Sequence, residues 1–130
     1  MTLKYGFIFP SIPIWVVGAW PHEKSLARAL RYDGLLPVVM DDNRQFMTPD
    51  SEHIRAIATY CREHRSQTDP FDIVMEGRTS GDPGERATTQ ALVSSYADAG
   101  ATWWLESMWL EPNSADDVVT RIRQGPPHIR

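Results

Sequence analysis

The stretch IPIWVVGAWPHEKSLARALRYDGLLPVVM, residues 12–40, holds two apolar runs of strand length with one helical pattern between them. The first run, residues 12–18, is rich in β-branched residues and Trp and lacks in–out alternation. That is the pattern of a strand covered on both faces. Pro21 suits a first helical turn, and Leu26, Ala29 and Leu30 then recur at helical spacing. Asp33-Gly34 breaks the helix, and residues 35–40 read as a second buried strand.

The same alternation continues to the C-terminal end. Thr48 is the expected N-cap of a helix with Pro49 in its first position. Ile54, Ile57, Ala58 and Cys61 then form an apolar stripe at i, i+3, i+4 and i+7. Residues 71–77 are the third expected strand. Asp82 is the expected cap of the next helix, with Pro83 inside it and Gly100 at its end. Residues 102–108 are the fourth strand. Ser114 and Asp117 make a capping-box-like start to a last helix carrying Val118, Val119 and Ile122. Four βα units in series predict an α/β protein with a parallel sheet. Strand order alone leaves an open doubly wound sheet and a section of a (β/α)8 barrel as alternatives.

Composition narrows the class. The 130 residues suit a single domain, with 42% hydrophobic and 23% charged residues, as in an ordinary globular protein. A net charge of -4 without a basic stripe argues against a nucleic-acid partner. One cysteine, Cys61, excludes an intramolecular disulfide framework and fits a reducing, cytoplasmic compartment. The N-terminal apolar stretch is broken by Pro10 and Pro13 and lacks a small-x-small cleavage site. It is too short to span a bilayer, so no membrane partner is expected.

The stretch at residues 12–37 resembles the luciferase-like, flavin-dependent oxidoreductases, in which a PVWVGG-type strand runs into a helix and then a DG-plus-strand segment. MTPDSEHIRAIATYCREHR, PFDIVMEGRTSGDP, YADAGATWWLESMW and RIRQGPP resemble later pieces of that family in the same order. The resemblance covers residues 12–127 and implies the C-terminal half of a (β/α)8 TIM barrel. Residues 1–10, MTLKYGFIFP, resemble the family's first strand, joined here almost directly to its fifth. A complete barrel takes about 250 residues, so the expected fold is a partial barrel: four βα units plus one N-terminal strand. A single Ser between two prolines cannot supply a parallel crossover. The segment at residues 5–10 must therefore run antiparallel, extend the next strand, or leave the sheet.

The resemblance implies FMN or a deazaflavin coenzyme, with a small-molecule substrate. The turn Gly18-Ala19-Trp20-Pro21 leads into a helix, whose free N–H groups and dipole suit a phosphate. Gly18, Ala19, Trp20 and Lys24 are the cofactor-binding candidates, with Arg28 as added charge. The competing reading is a packing turn with solvated basic residues. Glu76, Arg78, Trp104 and Glu106 are the pocket candidates, because the C-terminal strand ends of a barrel carry its site. Glu76 and Glu106 are candidates for orienting substrate or cofactor; a Glu–Arg pair between adjacent loops is the alternative for Arg78. Trp103, Trp104 and Trp109 suit either flavin stacking or core packing, with packing favoured. No catalytic residue is assigned. His22, His53, His64 and His128 lack metal spacing, so no metal is expected.

The second function class is a catalytically silent remnant that binds a flavin or phosphate, or acts by self-association. Half a barrel leaves two sheet edges and an inner face uncovered, so a homodimer is expected.

Overall fold

The computed structural model describes residues 12–108 and 113–127, so the expected strand at residues 1–10, Trp109 and His128 lie outside the described part. Within it, strands and helices alternate as β1 (Trp15–Trp20), α1 (Glu23–Ala29), β2 (Gly34–Met40), β3 (Phe46–Met47), α2 (Ser51–His64), β4 (Asp72–Gly77), α3 (Arg86–Ala99), β5 (Trp103–Glu106) and α4 (Ala115–Gln124). The sheet runs β1-β2-β4-β5 with every neighbouring pair parallel, and β3 joins β2 antiparallel. The protein is α/β with a mostly parallel sheet and four described helices.

Register assigns the two faces. Leu35 lies across from Val16 on one side and Ile73 on the other, and Met75 across from Trp104. Leu35, Ile73 and Met75 join Leu26 and Ala29 of α1, Ile54, Ile57 and Cys61 of α2, and Ala99 of α3 in one buried cluster. Helices α1, α2 and α3 therefore cover the same face. Gly18 belongs to it: a Cβ there would sit 2.4 Å from Leu35 Cδ1. Burial pushes the Cys61 thiol up to about 11, against the opposing charge of Arg65.

The opposite face carries Trp15, Val17, Leu36, Val74, Glu76, Trp103 and Leu105, by the two-residue period of strands. Val74 is buried, while Val17 is 52% and Trp103 51% exposed. At the N-terminal ends of the strands Trp15 leans across this face. Its indole N–H donates to Asp72 Oδ2 at 3.1 Å, and its ring lies 5.4 Å from that of Trp103. The lean passes over Gly34, where a Cβ would come within 2.6 Å of Trp15 Cδ1 and 2.8 Å of the Asp72 carbonyl oxygen. We expect Gly34→Ala to cost about 1–2 kcal/mol: overpacking of about 1–3 kcal/mol, offset by about 0.4–1 kcal/mol of lost unfolded-state entropy. A urea midpoint equal to or above that of the parent would refute the contact.

Several boundaries differ from the sequence expectations. β1 starts at Trp15, not residue 12, because the Asp33 carboxylate takes the Ile14 N–H and Pro13 has none to give. It also runs two residues further, to Trp20, followed by a cis Trp20-Pro21 bond; His22, not Pro21, opens α1. α2 is capped by Asp50 rather than Thr48: its carboxylate accepts the His53 N–H at 2.8 Å, which holds its pKa below the usual range. Pro49 falls just outside that helix, and its carbonyl accepts the Tyr96 hydroxyl. Asp82 precedes a 3-10 turn, Pro83–Glu85, and gives no side-chain cap; α3 begins at Arg86. β5 ends at Glu106, two residues short of its expected end. Gly100 at φ 116° and the Ser114–Asp117 capping box match expectation.

Candidate functional site

The C-terminal ends of β4 and β5 carry a polar cluster built from three parts of the chain. Glu106, the last residue of β5, accepts the Thr79 N–H at 2.6 Å on Oε1 and the Thr79 hydroxyl at 2.6 Å on Oε2. The indole N–H of Trp104 reaches Glu106 Oε2 at 3.3 Å. Arg121 of α4 completes it, donating through Nη2 to Glu106 Oε2 at 3.1 Å and to Thr79 Oγ1 at 2.8 Å. Its Nε donates to the Thr79 carbonyl at 3.2 Å and its Nη1 to the Gly125 carbonyl at 2.6 Å. Side-chain exposure of Arg121 and Glu106 is only 12% and 23%, so the pair is largely desolvated.

These bonds dictate what Glu106 does. Both carboxylate oxygens accept hydrogen bonds, and the neighbouring guanidinium balances the charge. Such a carboxylate ties the β4–α3 loop and α4 to β5. Strand phase points the same way, since Glu106 lies across from Gly77 on the helix-bearing face. Glu76 lies across from Leu105 on the other face and is exposed. The two acids nevertheless border one cleft beyond the strand ends, about 550 Å³, together with Leu105, Ser107 and Met108. Ser107 is 8% exposed, and its Oγ has no hydrogen-bond partner among the described residues.

The remaining candidates occupy separate places. Arg78 is exposed and lines a second cleft of about 560 Å³ beside Thr79, Asp117 and Gln124. Its charge, after the Ser114 hydrogen bonds, helps lower the Asp117 pKa. Trp104 is half-buried and packs against the core: its ring covers Gly77, where a Cβ would sit 2.4 Å from Cη2, and it lies 5.7 Å from Tyr96. Trp103 is on the opposite, half-exposed face.

At the opposite edge of the sheet, at the same C-terminal strand ends, the turn after β1 holds Gly18, Ala19, Trp20 and Lys24. The Ala19 N–H is taken by Ser25 Oγ at 3.0 Å, and the Ser25 and Leu26 N–H groups return to the His22 carbonyl. Trp20 packs edge-on to Tyr60 at 5.9 Å. Lys24 is exposed, and Arg28 donates to the Val17 carbonyl at 3.0 Å. Two strands stand between this turn and β5, so the cofactor-turn and pocket candidates form two locations.

The sequence offered Glu106 and Trp104 as pocket candidates but not Arg121, which fixes the Glu106 carboxylate. A single Arg on an amphipathic helix carries no local signal. Among the described residues no group of three or more metal-binding side chains converges, and no helix is long and apolar enough to cross a membrane. No known family pattern, characterised protein or solved structure matches the chain.

Proposed function

We propose that the chain is a half-barrel α/β protein of the luciferase-like, flavin-dependent oxidoreductase type, acting in the cytoplasm as a homodimer. One observation carries this reading: parallel strands follow one another in chain order, with α1, α2 and α3 all on one face. A doubly wound sheet reverses its strand order and has helices on both faces. A barrel section does neither. The C-terminal strand ends, where barrel sites are built, carry the clefts around Glu76, Ser107 and Arg78.

In this reading FMN or a deazaflavin coenzyme supplies the redox chemistry. The chain supplies position: Lys24 beside the β1–α1 turn offers charge for the flavin phosphate, and Glu76 offers an exposed carboxylate on the inner face. Glu106 holds the scaffold and takes no acid–base role. That engagement of Glu106 is also the observation favouring the second reading, a catalytically silent flavin-binding or self-associating module.

Incubation with FMN followed by gel filtration separates the readings. A yellow protein with one flavin per chain supports the first, and a colourless protein with no titratable FMN removes it. Lys24→Glu is expected to weaken FMN binding by about tenfold or more, as for loss of a charge-assisted hydrogen bond. Unchanged affinity in the folded variant would remove Lys24 from the site.

A further inference from the structure

Helix α4 is the least buried of the four. Val118, Val119 and Ile122 give it a strongly amphipathic sequence, yet none of its residues is buried, and Ile122 is 71% exposed. Polar bonds hold it in place instead. Ser114 Oγ accepts the Asp117 N–H and the Asp117 carboxylate accepts the Ser114 N–H at its start, while Arg121 binds the Thr79 carbonyl and Glu106 at its middle. Because the helix is held by hydrogen bonds, its apolar stripe does not close on the sheet.

The gap is a cavity of about 410 Å³ on the outer side of β5, lined by Trp104, Met108, Val118, Ile122, Pro126 and Pro127. Its size falls within the range of small-molecule sites, and its few polar groups among apolar walls follow their usual composition. Three of its lining residues are ring side chains: one indole and two pyrrolidines. Its ionic groups, Glu106 and Arg121, bind each other at 3.1 Å, so the wall presents a neutralised pair rather than a net charge. Among the described residues a charged ligand would find no unpaired opposite charge in the lining, and its desolvation would oppose entry.

We infer that this cavity is a binding site for an uncharged aromatic molecule of two or three rings, held between Trp104 and the Pro126-Pro127 segment. The site is independent of the flavin reading. It lies on the helix-bearing side of β5, away from the free face of the sheet, and needs no cofactor.

The neutral probe N-phenyl-1-naphthylamine, which brightens on leaving water, tests the site on the full chain without FMN. We expect saturable uptake at one probe per chain. Ile122→Glu places a charge in the cavity and should weaken uptake at least tenfold. Val119→Glu puts the same charge on α4 outside the cavity lining and should leave uptake within twofold. Matching far-ultraviolet circular dichroism of both variants keeps the comparison between folded chains. Absence of uptake, equal loss in both variants, or one probe per two chains with release on dilution would overturn the assignment. The last of these outcomes would make the face an interface between copies.

Discussion

Arg121→Met is expected to lower the stability of the folded chain by about 3 kcal/mol, near the low end for a buried ion pair broken on one side. The substitution keeps much of the side-chain volume, so the loss is not a cavity effect. It leaves the Glu106 carboxylate, 23% exposed, beside Trp104 without its counter-charge, and leaves the Thr79 and Gly125 carbonyls without their guanidinium donors. Residual exposure of the carboxylate holds the figure below the roughly 5 kcal/mol of a fully buried case. Glu106→Gln breaks the same pair from the other side and should cost a similar amount, about 3 kcal/mol. It strands the Arg121 guanidinium, 12% exposed, and turns an amide NH2 towards donors that the carboxylate had accepted. Replacing both at once, Glu106→Leu with Arg121→Met, should recover much of the loss, because no charge is stranded. Urea unfolding of the three variants tests the order. A cost under about 1 kcal/mol for Arg121→Met would mean that water, not Arg121, satisfies Glu106, and the account of α4 as a polar-tethered helix would fall.

That network marks the limit of what the sequence discloses. The β–α alternation is legible because each element carries its own local signal: the Ile54–Ile57–Cys61 stripe of α2, Gly100 in the left-handed region, the Ser114–Asp117 box. Boundaries shift where another side chain competes, near or far in the chain. Asp33 takes the Ile14 N–H and trims β1; the Asp50–His53 pair outcompetes Thr48 for the cap of α2. The short β3 escaped notice for a related reason. The Asp41–Arg44 loop, with its Asp carboxylate accepting the Asn43 and Gln45 N–H groups and Arg44 at φ 62°, turns the chain back onto β2. Its Asp/Asn composition announces a turn but not the two-residue strand after it.

Site geometry is less legible still. Glu76 and Glu106 look equivalent as acids near the ends of consecutive strands. Register puts them on opposite faces, and one residue of phase decides which is held by Arg121 and which meets solvent. Gly18 reads as part of a phosphate turn, yet it also faces the core against Leu35, where no side chain fits. Strand phase and long-range partners are tertiary facts, and neither is encoded within a window of ten residues.

Self-association is the other large effect expected, and it rests on the half-barrel reading. Among the described residues β1 pairs only with β2 and β5 only with β4, so both sheet edges are open. The face opposite the helices carries Val17 and Trp103 at about half exposure, beside the Trp15–Asp72 bond that holds the aromatic pair in place. Open edges invite pairing, and fixed aromatic side chains lose little entropy when covered. Burying about 600 Å² per chain at about 25 cal/mol/Å² gives a gross gain of about 15 kcal/mol per chain, before association costs. A two-fold pair places the same face of each chain against the other, the simplest closure for a surface of this kind. Light scattering at micromolar concentration should therefore report about twice the mass of the chain. Val17→Glu and Trp103→Arg should each shift the equilibrium towards monomer without touching the helix-side core, because neither side chain belongs to that cluster. Hydrogen exchange supplies the check if the variants fold poorly: on dilution of the parent chain, strand amides should lose protection before those of α2. A monomer that persists at high concentration with fully protected strand amides would show that the free face needs no second copy, and the half-barrel pair would be abandoned.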